Sequence, residues 1–187
     1  MRFDRDRFVA DCVAASRESA SQQAVHEVLE RAVEDADRVL AQLGMPRHAG
    51  IDVLHRSPTL TIFTASWAPR MSLPAHDHRM WALIGIYTGR EDNILWRRRA
   101  GRLEAHRASV LFARDVAALP ADAIHSVTNP LACFTGGIHI YGGDFFHTPR
   151  SQWNPETLAE EPSDGAAIQR IFERENERLR QTACSSG

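Results

Sequence analysis

Lysine is absent from this sequence of 187 residues, and all 22 of its basic residues are arginines. Enzymes that use an amine nucleophile, or a lysine in a phosphate-binding loop, need a side chain that this chain does not have. Both kinds of chemistry are therefore excluded.

Cysteine is scarce too. The three cysteines, Cys12, Cys133 and Cys184, are far apart and lack zinc-finger spacing, which predicts reduced thiols in a cytosol. The charged residues 1–7 are not followed by an apolar run, so we expect no signal peptide. No stretch approaches the length of a membrane span. We expect a cytoplasmic protein without membrane contact.

A surplus of charge is also missing, since the net charge is −2. This balance gives no basic field for nucleic acid. One local cluster of arginines lies between predicted strands: Arg90, Arg97, Arg98, Arg99 and Arg102. We expect it to be solvated or paired with Glu91, Asp92 and Glu104, and a patch that attracts anionic substrates is the alternative.

Hydrophobic periodicity divides the chain into three parts of one domain, 1–187. The N-terminal part, 1–46, predicts two amphipathic helices, at 4–19 and 25–43. The middle part, 51–150, predicts strands at 51–56, 60–67, 81–87, 93–98, 103–106, 109–112, 124–127 and 134–141. The C-terminal part, 151–187, predicts a helix at 164–181 that is a brace or a dimer contact. Many short strands predict a jelly-roll barrel that encloses a pocket.

The pattern His76-Asp77-His78 is the strongest chemical signal in the sequence. Alternate side chains of a strand share a face, so both histidines can reach one metal while Asp77 points away. His125, in a second short apolar run, is the best third ligand. Iron, zinc, copper and nickel all accept imidazole. The alternative is that these are ordinary structural histidines, because His-x-His also arises by chance.

The two segments resemble the motifs of the cupin superfamily. His76-x-His78 is followed by Gly89, and the run from Pro120 to Asn129 is similar to the second cupin motif. The resemblance implies a mainly β fold, the cupin double-stranded β-helix, with helices before and after it. Ala82 and Leu83 stand in the region where cupins usually place a metal-binding glutamate, which points to a three-histidine site.

Within cupins, the run Gly137-Ile138-His139-Ile140-Tyr141 is similar to the Ser-x-His-x-Tyr of the bacterial cysteine and 3-mercaptopropionate dioxygenases. This resemblance implies an iron(II) cofactor and catalytic roles for Tyr141 and His139. Gly137 departs from the family because it replaces the serine. Leu83 stands where mammalian-type enzymes have the cysteine that is crosslinked to the tyrosine, so no such crosslink can form here.

The implied activity is oxidation of a small thiol carboxylate by dioxygen to a sulfinic acid. A carboxylate needs a cation, and arginine binds it with two hydrogen bonds. The substrate-binding candidates, in order, are Arg150, Arg79 and Arg56. Partners would be the small thiol and dioxygen, in a monomer or homodimer. Two alternatives remain open: a cupin enzyme with a non-thiol substrate, such as a zinc or manganese hydrolase or isomerase, and a non-catalytic cupin that binds a metal or small anion.

Overall fold

The computed structural model describes residues 3–185, and the side chains of 183–185 lie outside that description, so the prediction for Cys184 does too. Cys12 and Cys133 are free thiols, buried and exposed respectively. The elements in chain order are α1 (Arg5–Ala15), α2 (Ser21–Val33), α3 (Ala36–Leu43), β1 (Gly50–Arg56), β2 (Thr61–Trp67), β3 (Ser72–Asp77), β4 (Ala82–Thr88), β5 (Arg90–Arg99), β6 (Arg102–Phe112), β7 (Val116–Leu119), β8 (Ile124–Thr128), β9 (Thr135–Tyr141), β10 (Ser151–Trp153), β11 (Glu160–Pro162) and α4 (Gly165–Ser185).

Two antiparallel sheets make up the barrel. One has the strand order β1-β2-β9-β4-β7, and the other β11-β10-β3-β8-β5-β6. Strands distant in sequence are neighbours in both sheets, as in a double-stranded β-helix. The predicted fold class is therefore confirmed: a mainly β jelly-roll barrel with N-terminal helices and a C-terminal helix.

Several element boundaries were predicted wrongly. The expected helix at 25–43 is two helices, because Asp35 caps α3 by accepting a hydrogen bond from the Arg38 backbone N–H. The strands expected at 103–106 and 109–112 are one strand, β6, which pairs along its length with β5. The short strands β7, β10 and β11 were not predicted. β10 extends the barrel past residue 150, since Gln152 pairs with His76.

The five-stranded sheet separates two cores. Ile138 and Ile140 of β9 pack against α1, α2 and α3 in one core. His139 and Tyr141 alternate with them and therefore face the barrel interior. The period of two along β9 thus sends apolar residues to the helices and polar residues to the cavity.

Helix α4 braces the barrel on the cavity side. The Asn176 side chain accepts a hydrogen bond from the Ala49 N–H at 2.6 Å and donates one to the Ala49 carbonyl at 2.8 Å. Phe172 stacks on Trp67 of β2, with 5.6 Å between ring centroids. No helix within residues 3–185 has the length and apolar character needed to cross a membrane.

Gly89 joins β4 to β5 and is the glycine of the first motif. Its φ is +80°, and a Cβ built there would lie 2.8 Å from the Thr135 Cα, which is backbone and cannot rotate away. Gly101 has a similar φ of +76° but nothing within 4 Å of its Cβ position.

We expect Gly89→Ala to lower the free energy of unfolding by about 3 kcal/mol, because left-handed strain and overpacking add. Gly101→Ala adds only the left-handed backbone strain and should lower the free energy of unfolding by about 1 kcal/mol. Urea denaturation measures both. Equal losses in the two variants would show that the contact with Thr135 contributes nothing.

Candidate metal centre and its cavity

Three buried histidines converge inside the barrel. His76 lies on β3, His78 follows the end of that strand, and His125 lies on β8, where the strand register sets it opposite His76. One ring nitrogen of each lies within 4.8 Å of the others. The Nε2 atoms of His78 and His125 are 3.2 Å apart. Two imidazoles at about 2.1 Å from one ion would place their nitrogens roughly 3.0–3.4 Å apart, so the group could hold a metal ion.

Hydrogen bonds at the far side of two rings orient them toward this centre. His76 Nδ1 donates to the Pro74 carbonyl at 3.0 Å. His125 Nδ1 lies 2.6 Å from Asn93 Oδ1, and Asn93 Nδ2 already donates to Glu91, so His125 donates here. Each ring therefore keeps its Nε2 lone pair for an ion, which is the usual arrangement of metal-binding histidines.

Burial also keeps the three rings neutral. It lowers the pKa of His76 to about 4, and it lowers the pKa of His78 and of His125 well below the ordinary value, with neighbouring histidines adding to the effect. A neutral imidazole is the form that binds a metal. The group consists of three histidines and no carboxylate.

Asp77 points away from the cluster, as the alternation along β3 predicts. Its carboxylate accepts a hydrogen bond from the Ser151 N–H at 2.8 Å and pairs with Arg79 at 2.6 Å. Arg79 has a φ of +58° and is held by Asp77 and Ser151. It therefore does not reach the cavity.

Tyr141 and His139 lie beside the histidine cluster. The Tyr141 ring is 4.9 Å from the His78 ring, and its hydroxyl is 3.4 Å from His139 Nδ1. Burial raises the pKa of Tyr141 above the ordinary range, so its hydroxyl stays protonated. Both side chains line the same cavity as His76 and His125.

Glu91 and Asn93 are part of this site, and sequence reasoning missed them. Glu91 is fully buried, and its carboxylate accepts hydrogen bonds from Trp67 Nε1 at 2.7 Å and Asn93 Nδ2 at 2.9 Å. It also lies 3.6 Å from His139 Nε2, within ion-pair distance. Burial raises its pKa, but these donors outweigh burial and the net pKa lies below the ordinary value.

The expectation that Glu91 pairs with the arginine cluster is therefore wrong. Arg90 pairs with Asp92, Arg97 and Arg99 with Glu104, and Arg98 with Glu160. The spacing of two between Glu91 and Asn93 on β5 was the available signal, because it puts both side chains on one face.

A side chain at Gly137 would be crowded. A Cβ there would lie 3.0 Å from Ile86 Cδ1 and 3.3 Å from His139 Nε2. These contacts are tighter than most real Cβ contacts, so Ile86 or His139 would have to shift by a few tenths of an ångström. The space beside His139 Nε2 is occupied by the Glu91 carboxylate instead.

A cavity of about 660 Å³ opens from the cluster toward β1 and α4. Its lining includes Arg150, whose guanidinium lies 3.8 Å over the Phe145 ring. Arg150 Nε is buried without a hydrogen-bond partner, and no carboxylate of the described residues lies within ion-pair distance of it. Burial lowers the pKa of Arg150, yet an arginine remains charged at neutral pH.

Arg56 forms two hydrogen bonds to Asp144, at 2.9 and 3.0 Å, and does not line the cavity. The structure therefore gives no support to Arg79 or Arg56 as substrate ligands. Of the three arginines proposed from the sequence, Arg150 alone faces the cavity with its charge unpaired.

No family model matches the sequence, and no curated protein does. Solved structures with similar folds include a cupin superfamily protein from Desulfitobacterium hafniense (20% identity, 56% of this chain and 88% of that chain, TM-score 0.45). Another is an RmlC-like cupin family protein with a double-stranded β-helix fold from Methanocaldococcus jannaschii (10% identity, 53% and 84%, TM-score 0.45). A third is an uncharacterized conserved protein with a double-stranded β-helix domain from Klebsiella pneumoniae (11% identity, 67% and 94%, TM-score 0.43).

We expect His125→Ala to weaken binding of iron(II) or zinc on the order of a hundredfold, because it removes one of three ligands and the group that Asn93 orients. The control is His106→Ala, an exposed histidine on β6. Anaerobic metal titration measures affinity, and circular dichroism checks folding. Wild-type metal content in folded His125→Ala would refute the ligand role.

Proposed function

We propose that this protein is a non-haem iron(II) thiol dioxygenase that oxidises a thiol carboxylate to its sulfinic acid, RSH + O₂ → RSO₂H. One observation carries the proposal: two histidines of the three-histidine cluster, His76 and His125, line one cavity together with a protonated tyrosine hydroxyl and an unpaired arginine. The resemblance of the run from Gly137 to Tyr141 adds the choice of reaction and of metal.

The charges of the site favour an anionic substrate. Three neutral imidazoles leave the charge of a divalent ion uncompensated, and a thiolate would supply negative charge at that point. The guanidinium of Arg150 supplies a second positive charge in the same cavity. A molecule with a thiolate and a carboxylate matches both charges.

Iron(II), when bound by His76, His78 and His125, supplies the redox chemistry that transfers both atoms of dioxygen to sulfur. In our proposal Arg150 binds the substrate carboxylate with two hydrogen bonds. Phe145 supports this guanidinium from one face. The apolar walls lower the local dielectric, which strengthens these charge interactions.

The Tyr141 hydroxyl is placed to hold a proton beside the histidine cluster. Its hydroxyl remains protonated at neutral pH and lies between His139 and the histidine cluster. Its one hydrogen can therefore point to His139 in the ligand-free protein and turn to a ligand at the metal centre when one binds, and His139 fixes the hydroxyl until then. In our proposal Tyr141 is catalytic and His139 positions it.

The activity test is oxygen uptake by iron-loaded protein with 3-mercaptopropionate, cysteine, cysteamine and larger thiol acids. We expect stoichiometric uptake and sulfinate formation with thiol acids, and little with cysteamine, which lacks a carboxylate. Arg150→Gln should raise KM for a thiol acid at least tenfold, because a charged hydrogen-bonded contact is lost.

Arg97→Gln is the control, since its guanidinium pairs with Glu104 of β6 and does not line the cavity. Absence of thiol-dependent uptake from iron-loaded protein would reject the dioxygenase, and binding of zinc with water-activating chemistry would then favour a hydrolase. Equal effects of the two arginine substitutions would reject Arg150 as the carboxylate ligand.

A further inference from the structure

Aromatic side chains form a continuous wall from the histidine cluster to the protein surface. The Phe145 ring lies 6.1 Å from His78 and 4.3 Å from Tyr141. Phe146 lies 5.3 Å from Phe145 and is 42% exposed. Phe63 contacts both ends of this wall, at 5.2 Å from Tyr141 and 6.1 Å from Phe146.

Helix α4 and the edge strand β1 form the other side of the cavity. Ile168 and Phe172 of α4 line it together with Ile51 and Val53 of β1. Val53 is 51% exposed although it is apolar and lines the cavity. The cavity mouth is thus apolar on both sides, at Val53 and at Phe146.

The cavity is much larger than a small thiol acid. A water molecule occupies about 30 Å³ in the liquid, so 660 Å³ corresponds to about twenty waters. This is the range of cavities that bury drug-sized ligands. 3-Mercaptopropionate would leave most of the apolar wall in contact with water, which is unfavourable.

The charges indicate which end of a ligand lies where. The guanidinium of Arg150, the unpaired cation, lies 3.8 Å over the Phe145 ring, which is 6.1 Å from the His78 ring and 4.3 Å from the Tyr141 ring, so it belongs to the inner end. Asp52 and Glu173, both exposed, line the cavity on β1 and α4. Arg56, 5.3 Å over the Phe146 ring, is paired with Asp144, so the two cavity-lining carboxylates disfavour a second anionic group at the mouth.

We propose that the cavity takes an organic acid with an apolar body. Its carboxylate lies at Arg150, and a phenyl or medium-length alkyl group follows the aromatic wall to the mouth at Val53 and Phe146. That the substrate also carries a thiol rests on the function proposed above. That it is an apolar acid follows from the cavity and Arg150 alone.

The experiment titrates acetate, hexanoate, octanoate and 3-phenylpropionate, none of which is a thiol, into the purified protein by calorimetry. Affinity should rise about threefold to fourfold per methylene, the usual gain for burial of one methylene. Val53→Asp should weaken octanoate binding at least tenfold and change acetate binding less than twofold. Val110→Asp, an apolar residue that is 40% exposed on β6 outside the cavity, should leave both unchanged.

Octanoate binding no tighter than acetate, or equal effects of the two aspartate substitutions, would overturn the apolar acid class. The oxygen-uptake assay is a separate measurement. Chain-length-dependent binding without thiol-dependent uptake would leave the apolar acid class standing and reject the dioxygenase. Thiol-dependent uptake that is no faster with larger thiol acids, together with carboxylate affinity that does not depend on chain length, would keep the dioxygenase and reject the apolar acid class.

The buried carboxylate of Glu91 carries a second, independent inference. A carboxylate at 0% exposure is costly unless donors surround it. Trp67 and Asn93 donate to it, and His139 presents Nε2 at 3.6 Å. Because a carboxylate only accepts, the arrangement favours the His139 tautomer with hydrogen on Nε2. His139 Nδ1 is then free to accept from the Tyr141 hydroxyl.

The structure assigns Glu91 as a positioning residue for His139 and Tyr141. It lies beside His139 Nε2, where Gly137 offers no side chain, and it also reaches the histidine cluster through Asn93 and His125. One acidic group thereby orients a ligand of the metal and, through His139, the catalytic tyrosine proposed above.

Histidine ¹⁵N NMR tests the tautomer without any activity, using the ring signals that disappear in His139→Gln. We expect a protonated Nε2 and an unprotonated Nδ1 in the wild type, and loss of this preference in Glu91→Leu. A proton on Nδ1 in the wild type would overturn the assignment.

A double-mutant cycle of Glu91 and Tyr141 tests whether Glu91 positions Tyr141 or only stabilises the fold. Glu91→Gln should lower kcat for oxygen uptake at least tenfold with KM nearly unchanged, and it should add little in a Tyr141→Phe background. Full additivity of the two substitutions would show that Glu91 acts on something other than Tyr141.

Discussion

The antiparallel register of β3 and β8 is the constraint on which the site depends. It places His76 opposite His125 across two strands that are far apart in sequence. A shift of one residue would turn one of these rings out of the barrel, because side chains alternate between faces. The backbone hydrogen bonds of the sheet thus define the distances between the metal-binding nitrogens before any ion is present.

A polar network inside an apolar barrel is stable only when each member has a partner. Glu91 accepts hydrogen bonds from Trp67 and Asn93, and Asn93 accepts one from His125. The Pro74 carbonyl accepts one from His76. Among the described residues, the buried side-chain atoms without a hydrogen-bond partner include Arg150 Nε, His139 Nε2 and His78 Nδ1, with His26 Nδ1 on α2 as the one outside the site. Most of this unsatisfied polarity therefore lies in or beside the candidate site.

Sequence reasoning predicted what depends on local pattern. The His-x-His spacing, the alternation in β9 and most strands could be found because strand periodicity is visible in the sequence. It ranked Arg150 before Arg79 and Arg56 on the resemblance, but it could not show which arginine is unpaired, because Asp77 and Asp144 lie near Arg79 and Arg56 only in the folded chain. The position of Glu91 was predicted wrongly for the same reason. Its charge and its neighbouring arginines indicated the surface, but its face of β5 points into the barrel. The break between α2 and α3 was missed because it depends on one capping side chain, Asp35.

Helix α4 is held to the barrel by hydrogen bonds from Asn176 and Arg178, by aromatic stacking and by apolar contacts, and it supplies part of the cavity lining. A ligand in the cavity would contact both the barrel and this helix. Its binding energy would therefore also oppose undocking of the helix, since a ligand stabilises the state that binds it. The C-terminal helix would report occupancy of the cavity through its protection from proteolysis, although it is far in sequence from the histidine cluster.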